Sequence, residues 1–521
     1  MREPVLLLLA TGVPVLVMLR VGRAPWRRWV AAPLVVVLVT LGGALLWMLL
    51  RPSLAARLAL PRDAGALYVA GWVFFLALGV LAGLGLTPRD TPLQVQRGAR
   101  LAPSVRWPRR ARRRPGGITL AGLPLDVLDE TKHIKVIGTT GTGKSTAIRE
   151  VLQAALDRGD RAIIADPDGG YLSRFYDPKA GDQILNPFEP QAAPWDLFGE
   201  IQQPYDVEQL ARALIPDHPG EERSWRNYAR VFLACAIRQL WELGKTHPQV
   251  RTVAELYQVL TLARHDELAA LLDGTPARTY LDGANERMFG SIRAVTATYV
   301  ASLAHQGQSQ GRPVSLRQWI RSADRPDGPR TRALFLPYSA TQIAALRSVI
   351  SAWLRLAIFE TMNGPERTAQ DPWRLWFFVD ELDALGAIDG LKDALARLRK
   401  FGGRCMLGFQ SVAQVSSTYG IGDAQTLIEN CGTTLILRCS ASERGGTAQF
   451  ASRLIGEREV LRRQESFSRR PGEWRSSRSV SQQRVIESAV LSSEIEQLAD
   501  LTGFLKRASR PSWHRVRLTG R

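Results

Sequence analysis

The stretch Lys132–Thr146, KHIKVIGTTGTGKST, decides the fold of this 521-residue chain. Its first six residues have the apolar content of a buried strand, and they run directly into the glycine-rich pattern G-x-x-x-x-G-K-[ST]. A helix-forming sequence, TAIREVLQAAL, comes next. A strand, a glycine-rich loop and a helix in this order form a P-loop, whose backbone N–H groups surround the phosphates of a nucleotide. The sequence therefore predicts an α/β fold with a nucleotide site.

The loop offers three kinds of contact to a nucleotide. Its glycines let the backbone turn inward, Lys144 places a positive charge between the β- and γ-phosphates, and the Ser145 hydroxyl ligates Mg²⁺. Thr146, at the start of the helix, is placed to touch the α-phosphate. We therefore expect ATP and Mg²⁺ as cofactors. The predicted nucleotide-binding residues are Gly138, Thr139, Thr140, Gly141, Thr142, Gly143, Lys144, Ser145 and Thr146.

A second, acidic motif is expected because a nucleotide-bound Mg²⁺ needs a carboxylate at the end of a neighbouring buried strand. The run Arg374–Glu381, RLWFFVDE, is apolar and ends in two acids. Asp380 is suited to the outer shell of the metal, and Glu381 is suited to polarising the attacking water. The alternative is that Asp380 only caps the helix after the strand. We expect the metal contacts to come from Ser145 and Asp380.

The spacing of these two motifs predicts an inserted domain. Lys144 and Asp380 are 236 residues apart, whereas a minimal βαβ unit takes about 30 residues. Residues 204–306 lack strand alternation and contain amphipathic helical patterns. Elsewhere, strands alternate with helices, which indicates a parallel sheet with helices on both faces. The further elements predicted are strands at Ala162–Asp166, Ala333–Pro337 and Thr433–Cys439, a strand ending in Leu407–Gln410, and a helix at Leu391–Lys400.

The N-terminal fifth of the chain has the pattern of a membrane region. Trp29–Leu50 and Ala64–Leu86 are uncharged and exceed the ~20 residues needed to cross a bilayer, and Pro4–Leu19 is a possible third segment. Residues 1–114 hold 17 Arg and three acidic residues, against a net charge of +19 for the whole chain. Because arginines flank the apolar segments, the positive-inside rule places everything after residue 88 in the cytoplasm. The alternative for Trp29–Leu50 and for Ala64–Leu86 is a buried helix of a soluble core. For Pro4–Leu19 the alternatives are a short span, an interfacial segment and an uncleaved signal-like segment.

The cysteine and histidine patterns argue against a closed metal site. Only four cysteines occur and none forms a C-x-x-C pair, so neither a structural zinc site nor a disulfide framework is encoded. The six histidines form no cluster with metal-ligand spacing. This cysteine usage is typical of a reduced, cytosolic environment.

Two arginine-rich segments each have two interpretations. Arg462–Arg484 is rich in Arg and Ser and poor in aliphatic residues, which favours a disordered surface loop; the alternative is contact with DNA phosphates. For the run Arg106–Arg114, attraction to anionic lipid is favoured over contact with DNA.

Several motifs occur together along the chain. Besides the two apolar segments and the P-loop they are Arg97–Arg100 (RGAR), Asp182–Phe198 (DQILNPFEPQAAPWDLF), Phe378–Leu385 (FVDELDAL), Leu398–Arg404 (LRKFGGR), Gly408–Gly420 (GFQSVAQVSSTYG) and Leu491–Ala508 (LSSEIEQLADLTGFLKRA). In these motifs the chain resembles the type IV secretion coupling proteins, the membrane-anchored DNA pumps typified by TraD and TrwB of conjugative plasmids. The resemblance implies a RecA-like P-loop NTPase motor domain with a parallel sheet, interrupted by an all-α domain and preceded by an N-terminal transmembrane region. It also implies a homohexameric ring that moves single-stranded DNA toward a secretion channel.

The resemblance points to two further catalytic positions. Arg399 lies 19 residues after Asp380, where the family has an arginine that reaches the γ-phosphate of a neighbouring subunit. Gln410 ends the next strand, beside Asp380, and is expected to sense the γ-phosphate. The alternatives are that Arg399 pairs with an acid on its own surface and that Gln410 caps a turn.

The chain departs from the family pattern in two places. Leu398 stands where the family often has a glycine before the Arg-Lys pair. The chain also stops soon after GFLKRA, without the long acidic tail that some TraD proteins use to dock on the relaxosome.

These features predict a membrane-anchored ATPase that couples a conjugative DNA and relaxase substrate to a type IV secretion channel. We expect a multi-pass protein of the bacterial inner membrane with most of the chain in the cytoplasm. Competing interpretations are an FtsK-like DNA pump and an ATP-binding secretion receptor without motor activity. The expected domains are a membrane region at 1–88, a basic juxtamembrane linker at 89–116, a nucleotide-binding domain in two parts at 117–203 and 307–521, and an all-α inserted domain at 204–306.

Overall fold

The computed structural model describes residues 2–21, 26–57, 64–86, 94–102, 116–217, 222–308, 311–322, 332–442, 446–468 and 477–519. Its contacts divide the chain into two units, Met1–Gln94 and Val95–Arg521.

The described residues of the first unit form three helices, α1 (Arg2–Val21), α2 (Trp26–Arg57) and α3 (Ala64–Leu86). Within the described residues, one segment, Trp29–Leu49 of α2, is long and apolar enough to cross a membrane, with a mean hydropathy of 2.3. The apolar segments Leu6–Arg20 of α1 and Val69–Leu84 of α3 are shorter. By length and composition the structure thus supports one span, rather than the two or three expected.

Small and hydroxyl-bearing residues bring these helices together. The hydroxyl oxygens of Thr11 and Thr40 are 2.7 Å apart and buried between α1 and α2. A Cβ at Gly79 would lie 2.5 Å from the Thr11 carbonyl oxygen, so α3 reaches α1 only because residue 79 is glycine. The outer surface of α2 is apolar and exposed, with Leu38 61% and Met48 75% exposed. Such a surface favours contact with lipid over contact with water.

The second unit is built on strands and flanking helices. Its strands are β1 (Gln94–Gly98), β2 (Arg100–Ala102), β3 (Thr119–Leu120), β4 (Leu123–Pro124), β5 (Ile134–Ile137), β6 (Arg161–Pro167), β7 (Gln183–Ile184), β8 (Ala333–Tyr338), β9 (Leu375–Val379), β10 (Gly403–Phe409), β11 (Thr433–Ile436), β12 (Glu457–Ser468), β13 (Ser477–Ser488), β14 (Thr502–Lys506) and β15 (Ser512–Arg517). Its helices are α4 (Val127–Thr131), α5 (Lys144–Arg158), α6 (Leu172–Phe175), α7 (Pro204–Leu214), α8 (Arg223–Leu243), α9 (Val253–Thr261), α10 (His265–Leu271), α11 (Glu286–Val300), α12 (Leu316–Ser322), α13 (Ile343–Met362), α14 (Leu391–Leu398), α15 (Val412–Tyr419), α16 (Ile421–Asn430), α17 (Gly446–Ile455) and α18 (Ser492–Glu496).

Ten of the described strands form one sheet in the order β2-β15-β14-β11-β5-β10-β9-β6-β8-β7. Neighbours from β11 to β7 are all parallel, which confirms the predicted α/β fold with a parallel sheet. Every residue of β9 and β10 is buried, as expected for strands covered by helices on both faces. β14 is antiparallel to both of its neighbours, so the sheet is mixed at this edge, a feature that the sequence did not predict.

The long connection between β7 and β8 is helical over most of its described length. It contains α7 to α12 and several short 3₁₀ helices. The longest helix, α8, buries residues at helical spacing, which are Ala229, Phe232, Leu233, Ala236, Ile237 and Leu240. No described strand lies between residues 204 and 308.

The arginine-rich segment Arg462–Arg484 forms part of a hairpin over its described residues, so the prediction of a disordered loop is wrong there. β12 and β13 pair antiparallel, and β1 lies on the other side of β12. Glu487 of β13 binds Arg458 and Arg462 of β12, with N–O distances of 2.9 and 2.6 Å. The low aliphatic content was misleading because cross-strand ion pairs also stabilise a sheet.

Two predicted features lie outside the described residues. Residues 469–476 belong to the arginine-rich segment Arg462–Arg484, and residues 103–115 include the basic run Arg106–Arg114. Within the predicted linker at 89–116, the structure places the short strands β1 and β2.

The close approach of β10 to the residue after β9 generates a prediction about stability. A Cβ at Gly408 would lie 2.0 Å from the carbonyl oxygen of Asp380, a backbone atom that cannot swing aside. Gly408→Ala should therefore lower the free energy of unfolding by about 1–3 kcal/mol. The matched control is Gly422→Ala in α16, where an added Cβ has nothing within 4 Å and should be neutral or slightly stabilising. Urea unfolding in detergent measures both, and equal stability of the two variants would contradict the close approach.

Candidate nucleotide site

The predicted P-loop lies at the carboxyl end of β5. This strand is buried throughout and delivers the chain to Gly138, whose N–H donates to the Phe409 carbonyl of β10 at 3.1 Å. Gly141 and Gly143 have φ angles of +77° and +117°, in the left-handed region that favours glycine. α5 begins at Lys144, directly after Gly143. The loop therefore joins a buried strand to the N-terminus of a helix, whose free N–H groups attract anions.

Contacts from other segments hold the loop in shape. The Thr139 N–H donates to the Arg438 carbonyl at 2.9 Å, and the Thr142 hydroxyl donates to the Thr139 carbonyl at 2.7 Å. The N–H of Leu501, just before β14, donates to the Thr142 carbonyl at 3.0 Å. A Cβ at Gly143 would lie 2.9 Å from the Leu501 side chain. The C-terminal strands thus support the loop, so glycine at 143 serves packing as well as backbone conformation.

Lys144 points back into the loop. Its ammonium donates to the carbonyls of Gly138 and Thr139 at 2.9 and 3.2 Å, and the side chain is buried. Burial lowers the pKa of Lys144, whereas the nearby carboxylates of Asp380 and Glu381 oppose this shift. A positive charge is therefore held at the point where a P-loop lysine meets phosphate.

Asp380 and Ser145 meet at the carboxyl ends of the parallel strands. The Ser145 hydroxyl donates to Asp380 Oδ2 at 2.7 Å, and the Asp380 side chain is buried. The other carboxylate oxygen, Oδ1, is buried and has no hydrogen-bond partner among the described residues. The structure thus places the predicted metal pair together. Ser145 lies in the first turn of α5, and Asp380 directly follows β9, the strand two positions from β5 in the sheet.

This donor set fits Mg²⁺ as a nucleotide-bound ion. Mg²⁺ prefers oxygen ligands and usually takes one or two from protein, with the others from phosphates and water. A hydroxyl and a carboxylate with one unpartnered buried oxygen match that requirement. The described residues contain no group of three or more His, Cys, Asp or Glu that could hold a metal by themselves. Ser145 and Asp380 would therefore hold the ion together with the nucleotide.

Glu381 and Gln410 lie side by side at the same edge. The Gln410 amide N–H donates to Glu381 Oε1, and the Thr140 hydroxyl donates to Gln410 Oε1 at 3.4 Å. Glu381 is half-buried, and burial raises the pKa of its carboxyl, whereas the hydrogen bond from Gln410 opposes this shift. Gln410 therefore connects the P-loop to the candidate general base. Thr146 is half-buried in the first turn of α5.

Arg399 lies away from the other candidate residues of its own chain. It follows α14 and precedes β10, so it lies near the amino end of the strand whose carboxyl end carries Gln410. A strand of seven residues is roughly 23 Å long. The Arg399 side chain is exposed, and it forms no ion pair with the described acidic residues. The structure thus brings together the P-loop, Asp380, Glu381 and Gln410, but not Arg399.

Leu398 shows how the departure from the family pattern is accommodated. Its side chain is fully buried at the end of α14. A Cβ at Gly403 would lie 2.4 Å from Leu398, so the glycine at the start of β10 makes room for the leucine.

Three residues at this edge were missed by the sequence predictions. Tyr171 donates its hydroxyl to Asp380 Oδ2 at 2.7 Å. Asp166, fully buried at the end of β6, accepts backbone hydrogen bonds, and burial raises its pKa to about 6. Tyr338 has a buried hydroxyl without a partner among the described residues. The available signal was an acid at the end of the predicted strand Ala162–Asp166, followed by a turn sequence, PDGG.

Comparison with known proteins places this site in a family. The model of the type IV secretion-system coupling protein DNA-binding domain matches residues 117–519. The chain is 32% identical over 390 residues to the coupling protein TraD of Escherichia coli (strain K12), which covers 74% of this chain and 52% of TraD. It is 25% identical over 374 residues to a conjugal transfer protein TraG of Escherichia coli, covering 65% and 57% of the two chains. The chain thus spans about half the length of the curated relatives it matches.

Solved structures of TrwB share the fold. The unbound bacterial conjugative coupling protein TrwBdeltaN70 is 32% identical with a TM-score of 0.70, over 82% of this chain and 95% of that one. TrwB in complex with ADP and Mg²⁺ is 31% identical with a TM-score of 0.70, over 83% and 96%. Since the family model covers most of the chain and the fold agrees at this identity, the protein belongs to the type IV secretion-system coupling protein family.

Proposed function

We propose that this protein is a membrane-anchored, ATP-driven DNA translocase that couples a conjugative DNA and relaxase substrate to a type IV secretion channel. The observation that carries the proposal is the 2.7 Å hydrogen bond between Ser145 and Asp380, in a site that also contains Lys144 and Glu381. Membership of a family with a coupling-protein DNA-binding domain supports the DNA substrate and the secretion partners. TrwB binds ADP and Mg²⁺, which supports ATP and Mg²⁺ as the cofactors of this chain.

The residues of the site divide the chemistry of ATP hydrolysis between them. When bound, Mg²⁺ supplies positive charge that polarises the phosphate oxygens. Lys144 neutralises negative charge on the phosphates, and Ser145 and Asp380 provide oxygen ligands. Glu381 accepts a proton from the attacking water at its carboxylate, while the Gln410 amide, bonded to Glu381 Oε1, orients that carboxylate.

A motor explains this arrangement better than an ATP-binding receptor does. Binding alone needs the P-loop and the metal ligands, but it needs no base next to them. Glu381 stands directly after Asp380 and is bonded to Gln410, which in turn contacts the P-loop residue Thr140. An FtsK-like pump is less well supported, because the coupling-protein family model extends over residues 117–519.

We propose that the protein is anchored in the bacterial inner membrane by Trp29–Leu49 and that α3 adds a second span, which would make it a multi-pass protein. The support is the span Trp29–Leu49, whose apolar residues are largely exposed, and the apolar helix α3 beside it. The flanking arginines favour a cytoplasmic position for the residues after 88. We further propose the domain division at 1–88, 89–116, 117–203, 204–306 and 307–521, supported by the helical character of 204–308.

We also propose a homohexamer in which Arg399 completes the site of a neighbouring copy. Arg399 is exposed and lies near the opposite end of β10 from Gln410, so it cannot reach the phosphates bound by its own P-loop. A head-to-tail ring places one end of each subunit against the other end of the next. There the guanidinium would stabilise negative charge that develops on the γ-phosphate.

The first functional prediction separates nucleotide binding from hydrolysis. In the full-length protein purified in detergent, Lys144→Ala should lose ATP binding, because the charge that meets the phosphates is gone. Glu381→Gln should bind ATP and hydrolyse it at least about 100-fold more slowly, because the amide cannot accept the proton. Glu494→Gln, at an exposed position in α18, is the matched control and should behave as wild type. Phosphate release and fluorescent-nucleotide binding measure the two effects, and full turnover by Glu381→Gln would remove the base from the mechanism.

The second prediction concerns the shared site. Arg399→Ala should bind ATP but hydrolyse it slowly. Arg397→Ala, which removes an exposed arginine two residues earlier, should bind and hydrolyse ATP as wild type does. An equimolar mixture of Arg399→Ala and Glu381→Gln subunits should recover about one quarter of wild-type ATPase activity, because random mixing leaves about one interface in four with both native residues. Mixed assemblies no more active than either parent would show that Arg399 does not act between subunits.

The third prediction concerns DNA. The affinity for single-stranded oligonucleotides should be nearly independent of their sequence. It should fall by about tenfold or more as the salt concentration rises from low to moderate, because phosphate contacts release counterions. Fluorescence anisotropy with two oligonucleotides of unrelated sequence tests this. Tight, salt-resistant binding to only one of them would contradict it.

A further inference from the structure

Tyr171 connects the end of β6 to the acid that follows β9. Its ring is buried, with 2% of the residue exposed, and its hydroxyl donates to Asp380 Oδ2 at 2.7 Å. The same carboxylate oxygen accepts the Ser145 hydroxyl at 2.7 Å. Two hydroxyls from different elements therefore converge on one oxygen of the predicted metal ligand.

A tight reversal of the chain aims Tyr171 at this position. After Asp166, the residues Asp168 and Gly169 have φ angles of +57° and +65°, which turn the backbone sharply. The turn brings the N–H of Tyr171 to 3.0 Å from both carboxylate oxygens of Asp166, and the N–H of Leu172 to 2.6 Å from one of them. Because β6 and β9 are paired in the sheet, this anchored tyrosine stands next to Asp380.

These contacts determine which way the Asp380 carboxylate faces. The terminal torsion of an aspartate is broad, so an unrestrained carboxylate samples many orientations. Here Oδ2 is held by two donors, while Oδ1 is buried without a partner among the described residues. A tyrosine hydroxyl is protonated at neutral pH, so Tyr171 remains a hydrogen-bond donor to this oxygen. The oxygen left free is the one available to a metal ion or to its bound water.

We propose that Tyr171 is a positioning residue for Mg²⁺: its hydroxyl orients Asp380 so that the ion is bound with the nucleotide. This inference rests on the proposed ATP- and Mg²⁺-dependent function. Partners that orient a metal-bound carboxylate typically contribute about 10- to 100-fold to metal affinity. A tyrosine that only fills the core would contribute through its ring, and its hydroxyl would be dispensable.

The test is metal binding by the full-length protein in detergent, for Tyr171→Phe and for Tyr176→Phe as the matched control. The control lies five residues later, with its ring packed edge-on against Phe335 at a centroid distance of 6.0 Å. Mn²⁺, which takes the same oxygen ligands, replaces Mg²⁺ so that its binding in the presence of ADP can be followed by electron paramagnetic resonance. ADP affinity in EDTA and thermal unfolding in EDTA are measured in parallel.

For Tyr171→Phe we expect Mn²⁺ affinity to fall about 10- to 100-fold, with metal-free ADP affinity and melting temperature unchanged. Tyr176→Phe should match wild type in all three measurements. Wild-type Mn²⁺ affinity in Tyr171→Phe would overturn the proposal and leave the proposed function intact. Equal losses of Mn²⁺ binding, metal-free ADP binding and stability would also overturn it, because the hydroxyl would then serve folding. A wild-type protein that binds no Mn²⁺ with ADP would instead refute the proposed function.

Discussion

The hydrogen bond from the Ser145 hydroxyl to Asp380 Oδ2 joins residues that are 235 positions apart in the chain. It requires three strands in register, because β10 lies between β5 and β9 and pairs in parallel with both. The carboxyl ends of parallel strands meet at one edge of the sheet, and binding sites form there from the loops that follow the strands. Gly408 permits the spacing, since any side chain at that position would meet the backbone of Asp380. The strand order is therefore a requirement of the nucleotide site and not only of stability.

Buried charged residues lie at the opposite end of the parallel strands, near their amino ends. Arg158 binds Glu130 through two hydrogen bonds of 2.8 Å and also binds Asp160, and the fully buried Arg404 lies 3.4 Å from Glu130. Removing charges from water is costly, so such a cluster contributes orientation more than net stability. Arg399 lies near these amino ends, just before β10. The arginine and the P-loop lie at opposite ends of the parallel strands, so one subunit cannot bring both to the same phosphate. The proposed mechanism therefore needs a second copy.

The features that could be predicted from the sequence are those with local signals. The P-loop combines its strand, glycines and lysine within fifteen residues, and the strand before Asp380 is a continuous apolar run. The contact of Leu501 with the loop could not be predicted, because it depends on β14 pairing antiparallel with β11, more than 60 residues away in the chain. Tyr171 was missed for the same reason: its role depends on β6 lying next to β9, which no local pattern specifies. The hairpin of β12 and β13 could not be predicted, because a segment rich in Arg and Ser and poor in aliphatic residues favours disorder unless its cross-strand partners are known.

The two acids of the site are held in different ways. Asp380 is buried and bonded to two hydroxyls, from α5 and from the turn after β6, whereas the half-buried Glu381 is bonded to Gln410, whose own contact with the P-loop is long at 3.4 Å. The proposed metal ligand is thus held by two donors, and the proposed base is bonded to the residue that we expect to sense the γ-phosphate. Gln410 precedes α15, whose last residue, Tyr419, bonds through its hydroxyl to the backbone of the loop between β9 and α14. A packed connection therefore runs from the P-loop to α14, the helix that ends directly before Arg399. If that arginine acts on a neighbouring copy, as proposed, hydrolysis in one subunit has a physical route to the site of the next.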